Sequence, residues 1–241
     1  MKPTATLATA ARVLRQILHD PRTIALLVVV PSLLIGLMAW LFDTTPVFAQ
    51  VGPAMLALFP FIVMFLVTSI STLRERRSGT LERLLTLPLR RLDIILGYAL
   101  AFGVAAIVQA GVAVGFAIYV CGLDVEGSLW LLLGVAVLDA ILGTTLGLLA
   151  SAFARTEFQV VQFMPALVFP QVLLGGVFLP RDQLPDVLRS ISDWLPLSHA
   201  IDALNAIARG TEDIGGDLLI VAAFALGAVL LGALTLRRRT P

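Results

Sequence analysis

Arg74-Glu75-Arg76-Arg77-Ser78-Gly79-Thr80-Leu81-Glu82-Arg83-Leu84-Leu85-Thr86-Leu87-Pro88-Leu89-Arg90-Arg91 is a basic, leucine-bearing stretch set between two long runs without charge. Gly79 permits a break, Thr80 caps a helix start and Pro88 ends it, so the pattern predicts a short helix over 80–87. Leu81, Leu84 and Leu85 share one face, with Glu82 and Arg83 pointing elsewhere. A helix of about eight residues does not hold alone in water. It has to dock on a lipid surface or on a protein.

The flanking runs fix the rest of the frame. Of 241 residues, 59% are hydrophobic and 14% charged, against about 25% charged in a soluble domain. A charge at the bilayer centre costs roughly 2.5–3.5 kcal/mol on insertion scales, so charge-free stretches mark spans. They fall near 23–42, 53–73, 95–120, 129–152, 158–179 and 217–236. The predicted fold is an all-α membrane protein, 1–241 forming a single transmembrane domain of six helices, with no room for a soluble catalytic domain. The first span is uninterrupted and its flanks lack a small-residue cleavage site, so it reads as a retained helix.

Basic residues set the orientation, because short cytoplasmic loops collect them. Lys2, Arg12, Arg15 and Arg22 precede the first span, six arginines lie in 74–94, Arg155 follows the fourth span, and Arg237, Arg238 and Arg239 close the chain. That places 14 of 17 basic residues on one side, leaving Arg181, Arg189 and Arg209 on the other. Both termini are therefore expected in the cytoplasm. Within 1–22, Leu7, Ala10, Ala11, Leu14, Ile17 and Leu18 recur at helical spacing, which predicts an amphipathic helix at the cytoplasmic interface. Residues 180–216 form the long outer connection. Leu184, Val187, Leu188, Ile191 and Leu195, then Ile201, Leu204 and Ile207 beyond Pro196, predict two short amphipathic helices.

The loop from Glu75 to Leu85, followed by Pro88, Leu89 and a helix from Asp93, resembles the cytoplasmic loop of ABC-2 type transporter permeases. His19-Asp20-Pro21-Arg22-Thr23 is similar to that family's entry segment. Gly176-Val177-Phe178-Leu179-Pro180, through Pro196-Leu197-Ser198-His199-Ala200-Ile201-Asp202-Ala203-Leu204, is similar to its last extracytoplasmic segment. The sequence departs from the common pattern at His199, where tyrosine is frequent.

The resemblance implies the membrane subunit of a bacterial ATP-driven exporter, most like the drug-resistance branch, in the cytoplasmic membrane. In that family two such subunits pair with two cytoplasmic ATPase subunits, which carry the ATP and Mg. The resemblance makes the helix from Thr80 a coupling helix seated on the ATPase, with Arg74, Glu75, Glu82 and Arg83 forming ion pairs to it. Leu81, Leu84 and Leu85 would pack locally or against it. The analogy also places the second and fifth spans along the route between subunits, which makes Phe61, Phe65, Gln162, Phe163 and Phe169 candidate contacts for a hydrophobic or amphipathic substrate. The prolines at 53, 60, 165 and 170 permit bends in those spans.

The residues themselves exclude other chemistry. The only lysine is Lys2, so the chain carries no phosphate-cradling P-loop, which needs a lysine behind its glycines. Two histidines far apart and the single Cys121 give no metal-ligand spacing, and no cofactor is expected on this chain. A net charge of +1 carries no field toward nucleic acid. Ser198, His199 and Asp202 sit close in sequence without a nucleophile elbow, so they do not read as a triad. Asp139 is the only acid well inside a span. It supports the competing reading, a channel or secondary transporter with Asp139 as its ion site, against the simpler one of a hydrogen bond between helices. Gly111 with Gly115, and Gly143 with Gly147 and Ser151, are spaced for close helix approach in lipid. One chain has too few helices to enclose a path, so a second copy or a related permease is expected beside it.

Overall fold

The computed structural model describes residues 3–42, 47–79, 91–211 and 213–235. Nine α-helices lie among them: α1 (Pro3–Leu18), α2 (Pro21–Leu41), α3 (Val47–Arg77), α4 (Arg91–Tyr119), α5 (Leu129–Phe153), α6 (Glu157–Leu174), α7 (Asp186–Ser192), α8 (Pro196–Ala208) and α9 (Gly215–Thr235). Six of them, α2 to α6 and α9, are long and apolar enough to cross a membrane. In lipid every backbone N–H and C=O has to be satisfied within the chain, and the α-helix does this inside one segment. The chain is a multi-pass membrane protein.

Helix ends follow local chemistry. The Asp20 carboxylate accepts from the Arg22 backbone N–H at 3.1 Å and from the Thr23 hydroxyl at 2.7 Å, which starts α2 at Pro21. The Thr156 hydroxyl accepts from the Gln159 N–H and starts α6. Helix α3 runs through Pro53 and Pro60 to Arg77, about a turn beyond the span expected from composition. It stops at Gly79, whose φ of 73° suits a residue without Cβ. Helix α6 ends at Leu174, short of the expected 179, because Gly175 and Gly176 follow and Gly176 has a φ of 84°.

The centre of the bundle is the seam between α3 and α5. A Cβ on Gly143 would stand 2.5 Å from the Phe61 carbonyl oxygen, and one on Gly147 would stand 2.6 Å from that of Phe65. Two glycines four residues apart thus meet two α3 residues four residues apart, and the backbones touch. The matching pair Gly111 and Gly115 on α4 does not act this way, since a Cβ at either would meet nothing within 4 Å. Spacing alone could not separate the two pairs. Around the seam pack Leu56, Met64, Leu132 and Leu142, all fully buried.

The helices outside the six spans divide differently from their sequence patterns. Helix α1 lies on α4, turning Thr6, Thr9, Val13 and Ile17 inward while Leu7, Ala11 and Leu18 stay exposed. Its contact depends on Gly97, where a Cβ would stand 2.6 Å from the Thr9 side chain. At the opposite end, α8 buries Leu197, Ala200, Ile201, Leu204 and Ile207 against α3, α5 and α9. The neighbouring α7 leaves Val187, Ile191 and the adjacent Trp194 exposed.

Gly147→Val should therefore force α3 and α5 apart and destabilise the protein by about 1–3 kcal/mol, the usual cost of overpacking. Gly111→Val should stay within about 0.5 kcal/mol of the parent. Thermal unfolding of the purified proteins reads the contrast, and equal loss in both would remove the seam from this role.

Candidate functional site

The described edge of the loop is where α1, α3 and α6 meet. In the last turn of α3, Glu75 takes both guanidinium nitrogens of Arg12, each at 3.0 Å, and Arg12 Nη2 also donates to the Tyr98 hydroxyl at 3.0 Å. The Arg12 guanidinium lies 5.8 Å from the Tyr98 ring centre. Bidentate pairing fixes orientation as well as distance. The Glu75 side chain is 15% exposed, so this pair is shielded more than an ordinary surface one. One residue earlier, Arg74 donates to both oxygens of Glu157 at the start of α6, at 2.8 and 3.2 Å. That second pair is open to solvent and contributes less.

Arg74 and Glu75 were expected from the resemblance to reach a partner. Their charges are instead engaged within the chain, Glu75 by Arg12 and Arg74 by Glu157. Both anchor the stem of the loop to its neighbours. Thr80, Leu81, Glu82, Arg83, Leu84 and Leu85 lie outside the described residues. Arg12 and Tyr98 carried no motif; the sequence signal for them was the single Gly97 that seats α1 on α4.

The five candidate pathway residues separate. Phe61 and Phe65 are 0% and 1% exposed, placed in the α3–α5 seam against Gly143 and Gly147. Gln162 and Phe169 face outward from α6, and Phe163 is half-buried against Leu73 and Val160.

Asp139 is fully buried on α5, and neither carboxyl oxygen has a hydrogen-bond partner among the described residues. Its neighbours Ala136 and Ala140 belong to the apolar core on either side. The hydrogen bond to a neighbouring helix that the sequence suggested is not made among the described residues.

At the end opposite the loop, polar groups lock α7, α8 and α9 together. Arg181 bridges the carboxylates of Asp193 and Asp202. His199 Nδ1 lies 2.7 Å from Asp217 on α9 and Nε2 lies 3.0 Å from the Asp193 carbonyl. Both of its partners are acceptors, so both ring nitrogens donate only in the protonated form. Ser198 bonds Ser192, and Asp202 is held by Arg181, so Ser198, His199 and Asp202 form no relay. His199 is a structural tie at the place where the sequence departs from the family pattern.

Comparison with known proteins settles the family. The ABC-2 type transporter pattern matches residues 4–208, from α1 to the end of α8. The chain belongs to the ABC-2 type transporter family. It is 30% identical over 157 residues to the probable multidrug ABC transporter permease YbhR of Escherichia coli K12, covering 65% of this chain and 43% of that protein. It is 28% identical over 184 residues to the inner membrane transport permease YhhJ of the same strain, covering 74% and 49%. ABC transporter G family member 20 of Dictyostelium discoideum is 27% identical over 193 residues, covering 78% of this chain and 26% of that protein. The chain spans between a quarter and half the length of these relatives. As a member of this family it resembles the membrane components of ABC transport systems.

The Asp217 hydrogen bond raises the His199 pKa above its ordinary 6.5, against the opposing effect of burial. A raised folded-state value means that the contribution to stability is complete below about pH 6.5 and is lost as pH rises through the folded pKa. Thermal unfolding should thus show a melting temperature that falls from pH 6 toward pH 9, with the His199-dependent part of that slope absent in His199→Gln. Identical slopes in the two proteins would contradict the assignment.

Proposed function

We propose that the chain is the permease subunit of an exporter that moves a hydrophobic or amphipathic compound, most simply a drug-like molecule, out across the bacterial cytoplasmic membrane. A separate ATPase supplies the free energy, binding ATP and Mg itself, and this chain alternates between inward-facing and outward-facing states beside a second permease copy. The observation that carries the reading is the family match from α1 through α8, five of the six spans, together with the braced stem at Arg74 and Glu75. A short helix over 80–87, as the sequence predicts, following that braced stem would transmit displacement rather than absorb it. Relatives named as multidrug permeases support the substrate class, and the clustering of arginines supports cytoplasmic termini.

The substrate route is proposed along α6, at Gln162, Phe163 and Phe169. These supply apolar surface with a polar point, as drug-sized sites do. The competing channel or secondary-transporter reading would route ions past Asp139. No chain of hydrogen-bonded groups reaches Asp139 among the described residues, which supports the exporter reading over that one.

Glu82→Arg and Arg83→Glu, each introduced alone, should leave membrane insertion intact and reduce export at least about tenfold while the partner continues to hydrolyse ATP. Compound efflux and ATPase activity measured together in proteoliposomes read the split. Export unchanged in both variants would remove the coupling role.

A further inference from the structure

At the end opposite the loop, the 3-10 turn Arg181–Gln183, α7, α8 and the start of α9 meet at two polar joints. In the first, Arg181 bridges Asp193, just past α7, and Asp202 of α8. An arginine keeps its charge throughout the physiological range, so this corner holds at any such pH. In the second, His199 in the first turn of α8 stands between two acceptors. Asp217 in the first turn of α9 lies 2.7 Å from Nδ1, and the Asp193 carbonyl lies 3.0 Å from Nε2. The His199–Asp217 contact is the one side-chain hydrogen bond between α8 and α9 among the described residues.

A neutral imidazole has one N–H and cannot serve two acceptors. Whichever nitrogen loses its proton turns a lone pair toward an oxygen, and the ring is only 7% exposed, so water has little access to relieve the clash. The connection 209–214 leaves α8 from its other end, where the Ala208 carbonyl accepts from the Glu126 backbone N–H. The start of α9 is therefore held at the first turn of α8 by apolar packing and this one tie, not by the chain itself. The ionisable groups around His199 are Asp217 on α9, Asp193 beyond α7, Arg181 on the 3-10 turn and Asp202 on its own helix. Of the other helices packed on α8, α3 has no ionisable side chain over 47–73, α5 has only Asp139, and α6 has only Glu157, at the loop end. The Asp217 hydrogen bond outweighs burial and the Arg181 charge, which oppose it, and sets the His199 pKa above 6.5.

We propose that His199 and Asp217 form a pH-sensitive latch: the imidazolium clamps the start of α9 to α8, and loss of its proton releases α9 while the Arg181 corner stays closed. The two-state element is the α8–α9 joint, and the switching event is one proton on one ring. The latch is complete below about pH 6.5 and opens as pH rises through the folded pKa. With the termini in the cytoplasm, as proposed above, the latch lies on the outer side and couples the freedom of the last span to the external pH. The release itself holds for either orientation and for any transported compound.

The test measures a distance across the joint by pulsed electron spin resonance on the full chain in lipid nanodiscs, with Cys121→Ser removing the native thiol. Spin labels go on Ser190→Cys and Gly216→Cys, both exposed, and a Cβ at Gly216 meets nothing within 4 Å. One distance should dominate at about pH 5.5, and the ratio of a second, released population to it should rise about tenfold by about pH 8.5, the loss of one charge-assisted hydrogen bond. His199→Gln should show the released population equally at both pH values. Asp217→Asn, which keeps the ring but removes the charge that holds its proton, should move the midpoint below about pH 6.5. A second label pair, Ser190→Cys with Arg209→Cys at the exposed end of α8, should give the same distance at both pH values, because Arg181 holds that corner. Circular dichroism of each variant checks the helical fold, and Asp217→Asn keeps the test decisive if His199→Gln misfolds. Identical distances at the two pH values in the parent, an unchanged pH response in His199→Gln or Asp217→Asn, or an equal response in the Ser190–Arg209 pair would overturn the latch.

Discussion

The backbone contact between α3 and α5 is the constraint from which the other positions follow. In lipid there is little hydrophobic drive between helices, so close packing and internal polar contacts have to hold a bundle together. Gly143 and Gly147 bring α5 onto the α3 backbone at Phe61 and Phe65. That contact fixes α3 as the central helix, and α2, α4, α6 and α8 pack around it. Once α3 is fixed, its last turn is fixed, and with it the point where the loop departs.

Polar interactions then gather at the two ends of the frame, where water and headgroups make charge affordable. At the loop end, Arg12 and Glu157 engage Glu75 and Arg74 from two different helices. At the other end, Arg181 and His199 tie α7, α8 and α9 through Asp193, Asp202 and Asp217. Between them Asp139 is buried with no hydrogen-bond partner among the described residues. The stiff parts of the molecule are thus the seam and the two polar ends. Displacement entering at the loop meets a braced stem on α3 rather than a loose one.

The six spans were legible because a bilayer imposes length and apolarity on each helix without reference to its neighbours. The end of α3 at Gly79 was legible for a similar reason, since a helix break is local. What depends on neighbours was not. Gly111 and Gly143 carry the same spacing, and only one pair meets a backbone. Phe61 and Phe163 are both phenylalanines of proline-bearing spans, and one is core while the other is half-exposed. Glu75 in a row of charges reads as available for a partner, until α1 is found lying beside it. The pairing of His199 with Asp217 joins groups 18 residues apart across two helices, and no spacing rule marks it.

The central claim is that an ATPase docks at the loop whose stem is braced at Arg74 and Glu75. A photocrosslinking amino acid at the exposed Arg77, activated in native membranes, tests it most directly. The account predicts that the captured protein carries its own P-loop and hydrolyses ATP, with capture lost when the probe is moved to Trp194 at the opposite end. An inserted, folded chain that captures no ATPase from Arg77, or captures it equally from Trp194, would contradict the account.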